Sequence, residues 1–118
     1  MSAPEQGDVF TIPDTAKNER RVVVVSEELF NRGESLVVVP FTSKRFQYRS
    51  GLSSCVVFER SDGPFTKPCV AQCEQVSRIT KDKLTSLSSL GRIKPEKTRE
   101  LVKALGVVIG ADCEPAAT

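Results

Sequence analysis

The sequence predicts an α+β domain that is mainly β: about five to seven short, mostly antiparallel strands in a strongly bent sheet or half-open barrel, closed by one C-terminal helix. Three observations carry this. The runs Val22–Val25 and Leu36–Val39 are unbroken and apolar, too short for helices and rich in β-branched residues, as in strands buried on both faces. Turn signals recur at close spacing, among them Asn31-Arg32-Gly33 and Ser61-Asp62-Gly63-Pro64. Only the stretch from Pro95 has sustained helical periodicity.

One compact domain over 1–118 is expected from 118 residues, with a core of about 7–110 and loose ends. The chain is 39% hydrophobic and 27% charged, so it can bury a real core. A net charge of +2 means that any basic surface must come from clustering. No apolar run approaches the ~20 residues of a membrane span, and the N-terminus lacks a charged-then-apolar signal, so a cytoplasmic protein with no membrane partner is expected. Cys69 and Cys73 stand four apart rather than as C-x-x-C, and with Cys55 and Cys113 they read as reduced thiols; no metal or cofactor is expected. With 0 histidines, Ser-His-Asp and Cys-His catalysis are excluded, so arginine, carboxylate and hydroxyl groups must do any chemistry.

In order, residues 1–6 read as a loose lead-in. Gly7-Asp8 opens a strand, V-F-T-I, that stops at Pro13. Arg20-Arg21 lead into the Val22–Val25 strand, and Ser26 is placed to N-cap one helical turn over E-E-L-F-N. The strand Leu36–Val39 follows, and Pro40, which has no N–H for a ladder, is expected to end its pairing. Residues 47–54 read as a polar loop, Cys55–Glu59 as a strand, and 68–72 and 75–79 as further strand broken near Cys73-Glu74. A helical turn at 80–84 and a short strand over 87–93 precede the helix. Pro95 suits that helix's first turn, Gly110 its end, and Leu101, Leu105 and Val108, with Val102 and Ile109 beside them, form a stripe expected to pack on the sheet.

The segment after Pro40 is the candidate site. Two hydroxyls (Thr42, Ser43), two cations (Lys44, Arg45) and an aromatic (Phe46) follow a rigid strand, a delivery of donors and charge that suits a phosphate. Tyr48 and Arg49 extend it. Lys44, Arg45 and Arg49, interleaved with Phe46 and Tyr48, offer phosphate contacts and flat faces for unstacked bases, although both aromatics fit core or dimer packing equally well. A solvated turn is the plainer alternative for the stretch alone.

Four segments in order resemble the MazF/PemK/Kid toxins of bacterial toxin–antitoxin pairs: Gly7-Asp8-Val9-Phe10, the R-R-V-V-V-V-S run from Arg20, Val39-Pro40-Phe41-Thr42-Ser43, and the C-E-Q-V-S-R-I run from Cys73. The resemblance spans about residues 7–110 and is strongest to the Kid branch around Leu29-Phe30-Asn31. It implies an SH3-like barrel, a homodimer, and a sequence-specific, metal-independent endoribonuclease. Such an enzyme cuts single-stranded RNA to a 2′,3′-cyclic phosphate and a 5′-hydroxyl and is silenced by a cognate antitoxin. It further implies that Arg20 and Thr42 form the active centre and that Glu74 is the acidic partner. In that scheme Arg20 offers a planar fork to phosphate oxygens, Glu74 is the candidate base, and Thr42 and Ser43 hydrogen-bond the scissile group. Arg21, Gln72 and Gln75 complete the expected RNA contacts; for Arg21 a solvated strand end, and for Glu74 an ion pair, are the competing readings.

The chain departs from the family pattern in places. The connection D-T-A-K-N-E-R-R is short, Arg21 replaces a proline, and Gln72 stands where Kid-like members carry an arginine. A catalytically weak or inactive RNA- or partner-binding module is therefore the alternative. A gyrase inhibitor on the same fold is disfavoured, since those act through C-terminal residues that usually include Trp, and this chain has 0.

Overall fold

The structure is a computed structural model that describes residues 3–13, 19–86 and 88–110. Among these residues seven strands, β1 (Asp8–Pro13), β2 (Glu19–Val24), β3 (Ser35–Thr42), β4 (Cys55–Phe58), β5 (Cys69–Gln72), β6 (Ser77–Thr80) and β7 (Gly91–Arg92), form one curled antiparallel sheet. Its order is β4-β5-β3-β2-β1-β7, with β6 also on β3. Helices α1 (Glu28–Asn31) and α2 (Phe46–Arg49) are single turns; α3 (Pro95–Ile109) is the long C-terminal helix.

The valine runs are buried on both faces. Val22, Val23 and Val24 are each 0% exposed, yet Val23 joins one apolar cluster and Val22 and Val24 the other, because successive strand side chains alternate. The larger cluster, with Val39, Phe41, Phe58 and Ala71, is covered by Leu101 and Ala104 of α3. Phe41, Phe58 and Phe65 pack edge-to-face within it. The smaller cluster gathers Phe10, Val22, Val24, Leu36 and Val38. Lys97 fixes α3 to β4, donating to the Val57 carbonyl at 2.8 Å with its ammonium 5.5 Å from the Phe58 ring centre.

Several expectations are corrected. Pro40 does not end pairing: it lies inside β3, across from Val22. Val25 N–H donates to the Val37 carbonyl, so odd-numbered β3 residues point their backbone groups at β2 and Pro40 points to the other edge. There the chain passes from β5 to β6 through the 3-10 turn Cys73–Gln75, so the ladder is interrupted where proline lacks a donor. Ser26 does not cap α1; Glu27 occupies the cap, and the Ser26 hydroxyl donates to Asn31 Oδ1 while accepting the Val37 N–H. The polar loop holds the turn α2.

Residues 3–6 are tied down rather than loose: Gln6 Nε2 donates to the Val25 carbonyl, and Glu5 pairs with Arg92. The helix stripe packs only in part. Leu101 is buried and Leu105 packs half-buried against the same cluster, whereas Val108 and Ile109 stay exposed as α3 runs past the sheet cluster, and Val102, one position after Leu101, faces away from it. The last short strand is confined to Gly91–Arg92, and Leu87 lies outside the described residues. Gly110, at φ 81°, closes α3 in the left-handed conformation that suits glycine.

Two ends of the chain meet at β1. Asp8 pairs in register with Arg92 of β7, and Arg92 Nε also lies 3.2 Å from the Asp8 carboxylate. Gly7 holds φ 98°, a left-handed backbone that strains any residue with a Cβ, and a Cβ there would lie 3.3 Å from the Arg92 and Thr98 side chains.

The thiols of Cys55, Cys69 and Cys73 are free and buried; Cys113 lies outside the described residues. Burial pushes Cys69 up to about 11, against the opposing pull of Arg21 and Lys67. It pushes Cys73 up to about 12, helped by Cys55 and Glu74. An unfolded thiol loses its proton near 9, so these two contribute stability in full below that pH and lose it as pH rises towards 11–12. The urea midpoint should therefore fall between pH 9 and 11, and less steeply in Cys69→Ala/Cys73→Ala.

Asn31 is 0% exposed and its amide donates to the carbonyls of Pro4 and Ser26. Asn31→Ala strands both half-buried acceptors and should cost about 1–3 kcal/mol, read as a lowered melting temperature.

Candidate active site

The site is built where β2 begins and where β3 and β5 end. Val22 lies opposite Pro40, and two residues further along that register bring Arg20, half-buried on β2, to Thr42 at the end of β3. On the other edge Thr42 pairs with Val70 of β5. Gln72 follows two residues later and pairs with Cys55 of β4. Alternation therefore puts Arg20, Thr42, Gln72 and Cys55 on one face of the curled sheet. Glu74 joins them from the 3-10 turn: its carboxylate accepts from Gln72 Nε2 at 3.3 Å and lies 3.9 Å from Cys55 Sγ.

Glu74 thus has a solvent-exposed carboxylate held by an amide and a thiol, not by a salt bridge to a cation among the described residues. Gln72 is only 6% exposed, so its side chain is a fixed donor that aims Glu74. Cys55 was not singled out by sequence reasoning, although two-residue alternation back from Val57 places it on this face. Burial first, then the neighbouring Glu74, raises the Cys55 thiol above its ordinary range, with Arg49 and Ser54 pulling the other way. Arg49 therefore also feels this corner.

The segment after β3 folds back over the rim. Lys44 N–H donates to Thr42 Oγ1 at 3.1 Å, which turns the chain as soon as the strand ends. Arg45 then adopts a left-handed backbone, at φ 53°, and caps α2. Its guanidinium lies 4.9 Å from the centre of the Tyr48 ring, and Arg49 Nη1 donates to the Lys44 carbonyl. Tyr48 is 59% exposed, so it is not a core residue, while Phe46 is half-buried. Lys44, Arg45, Arg49 and Tyr48 thus form one compact basic and aromatic surface beside Thr42.

The remaining expected contacts divide. Gln75 is exposed on the same 3-10 turn as Glu74. Arg21 and Ser43 do not join Arg20 and Thr42: they face the other side of the sheet and line a separate cleft with Phe41, Phe65 and Lys67. Most of the short connection between β1 and β2 lies outside the described residues. Among the described residues no helix is long and apolar enough to cross a membrane, and no group of three or more metal-ligating side chains occurs.

This arrangement can grip a phosphodiester with a guanidinium and a hydroxyl while a carboxylate stands ready to accept a proton. No curated protein matches the sequence. The fold is similar to an endoribonuclease in complex with its cognate antitoxin from a mycobacterial species, at 24% identity and a TM-score of 0.77, covering 95% of this chain and 100% of that one. A second mycobacterial endoribonuclease is 25% identical, with a TM-score of 0.74 and coverage of 93% and 94%. A MazE–MazF complex from Deinococcus radiodurans is 16% identical, with a TM-score of 0.73 and coverage of 93% and 98%. The family model for the PemK-like, MazF-like toxin of type II toxin–antitoxin systems matches residues 5–109. The curled antiparallel sheet with its C-terminal helix and this match agree: the chain belongs to the PemK-like, MazF-like toxin family.

Proposed function

We propose that this protein is a metal-independent endoribonuclease toxin that cuts single-stranded RNA at Arg20, Thr42 and Glu74. The observation that carries the reading is the convergence of these residues, from three separated segments, on one face at one end of the sheet. In this mechanism the ribose 2′-oxygen attacks the adjacent phosphorus, its proton passing to the Glu74 carboxylate. Arg20 binds two phosphate oxygens and stabilises the charge that grows on the phosphorane, and Thr42 adds a hydroxyl donor. The P–O5′ bond breaks, the departing oxygen takes a proton from water at the open rim, and a 2′,3′-cyclic phosphate remains.

Gln72 gives this site a neutral donor next to the carboxylate, so Arg20 supplies the positive charge at that face. Lys44, Arg45, Arg49 and Tyr48 hold the flanking phosphates and bases, and Gln75 reaches the base edges beside Glu74. The partners in this reading are a second copy of the chain and a cognate antitoxin whose tail covers the Arg20/Thr42 face. The exposed apolar side chains Leu29, Phe30, Val102 and Ile109 offer surface for such contacts. The family of structures containing antitoxin complexes supports the second partner.

Purified protein incubated with a long single-stranded RNA in chelator should release fragments ending in cyclic phosphate. Arg20→Ala should slow cleavage by about 10²–10³-fold, as when a transition-state donor is lost. Thr42→Ala should cost about tenfold or more, one hydrogen bond to a charged group. Glu74→Gln should lower the rate while RNA binding is retained, and a 2′-deoxy sugar at the cut site should abolish cleavage. RNA bound by the wild type but never cut would replace this reading with a non-catalytic binding module.

A further inference from the structure

On the opposite face from Arg20, a cleft of about 320 Å³ opens between the ends of β1, β2 and β3 and the segment before β5. Its floor is apolar: Phe41 and Phe65 meet edge-to-face with ring centres 4.9 Å apart. Among the described residues its walls carry two cations, Arg21 and Lys67, and three hydroxyls, Thr11, Ser43 and Thr66. Both cations are exposed, and neither forms a salt bridge among the described residues. Among the described residues the one acid at the mouth is Glu19, which accepts a hydrogen bond from Thr11 Oγ1 at 3.2 Å.

The chemistry of the cleft narrows its ligand. A bare phosphate has no use for a floor of two phenyl rings, and a purely apolar group has none for two cations and three hydroxyls. A nucleotide satisfies both, with a flat apolar base face and a charged phosphate. The volume lies at the lower end of the usual range for small-ligand pockets, enough for a single nucleotide. Position points the same way. Arg21 and Ser43 are the residues immediately after Arg20 and Thr42, and successive strand residues face opposite sides. A polynucleotide crossing the sheet rim from one face to the other therefore meets this cleft next.

We propose that the Arg21/Lys67 cleft holds a nucleotide of the same single-stranded RNA that lies at Arg20 and Thr42. Its phosphate sits between Arg21 and Lys67, and its base lies over Phe65. This rests on the ribonuclease reading above and extends it: the RNA footprint straddles the edge of the sheet instead of lying on one face.

The test measures binding of a fluorescently labelled single-stranded RNA of about ten nucleotides by anisotropy, in an Arg20→Ala background so that cutting is negligible during the measurement. Arg21→Ala/Lys67→Ala is compared with Arg99→Ala/Lys103→Ala, which removes two exposed cations of α3 and makes the same charge change. The cleft pair should raise Kd by about tenfold or more and lower the slope of log Kd against log salt by about 0.7, one single-strand phosphate contact. The helix pair should change Kd by less than about twofold. Equal effects from the two pairs would overturn the assignment, as would a cleft pair that loses binding of a poly-glutamate peptide but not of RNA. Cleavage by the protein with Arg20 intact, measured in parallel, separates the failures. RNA cut normally with no special effect of the cleft pair sinks the cleft alone; no RNA bound or cut by any form sinks the ribonuclease reading and the cleft with it.

Discussion

The structure hangs on β3. Among the described strands it alone pairs with three others: β2 along one edge, and β6 then β5 along the other. Two strands can share one edge only if the chain steps aside between them, and the 3-10 turn Cys73–Gln75 is that step. The step is also what curls the sheet, since β5 continues towards β4 while β6 stays with the lower half of β3. Pro40 sits opposite the interruption, where a missing N–H costs no ladder bond. The same step lifts Glu74 out of the sheet and back over Gln72 and Cys55. Sheet closure and the placing of the carboxylate are therefore one event in the backbone.

Alternation then sorts the charges. Arg20 and Arg21 are neighbours in sequence but look into different environments, as do Thr42 and Ser43. One face receives the arginine, the hydroxyl and the carboxylate; the other receives two cations above a phenylalanine floor. A segment of polar residues at a strand end is thus divided into two surfaces without any change in the backbone path.

Much of this was legible in the sequence, and the reasons are particular. The valine runs announced strands buried on both faces because nothing polar interrupts them, and Val22 to Val24 bear this out at 0% exposure. Pro95 and Gly110 marked both ends of the helix through backbone chemistry alone. What was hidden depended on the partner strand. Pro40 taken locally terminates a strand, because pairing direction is not written locally; only the break in the facing edge makes it admissible. Ser26 was read as a cap because its use by Asn31 and Val37 is tertiary. The stripe on α3 was overextended, since periodicity shows which residues share a face but not where the sheet beneath them stops. For the candidate site, Arg20, Thr42 and Glu74 were found as types, while the split of Arg21 and Ser43 from them required the register. Lys67 and Phe65 carried no local signal at all.

The pairing of Asp8 with Arg92 has a consequence for how the molecule comes into being. It joins residues separated by most of the chain, and the ion pairs of Glu5 and Asp8 with Arg92 reinforce it. During synthesis the first strand leaves the ribosome long before its second neighbour exists, so one edge of β1 must wait for translation to pass residue 92. A nascent chain that stops short of that point keeps an open sheet edge. Completion of the barrel is thereby coupled to synthesis beyond residue 92, and a product terminated before that residue lacks the closure that orders β1.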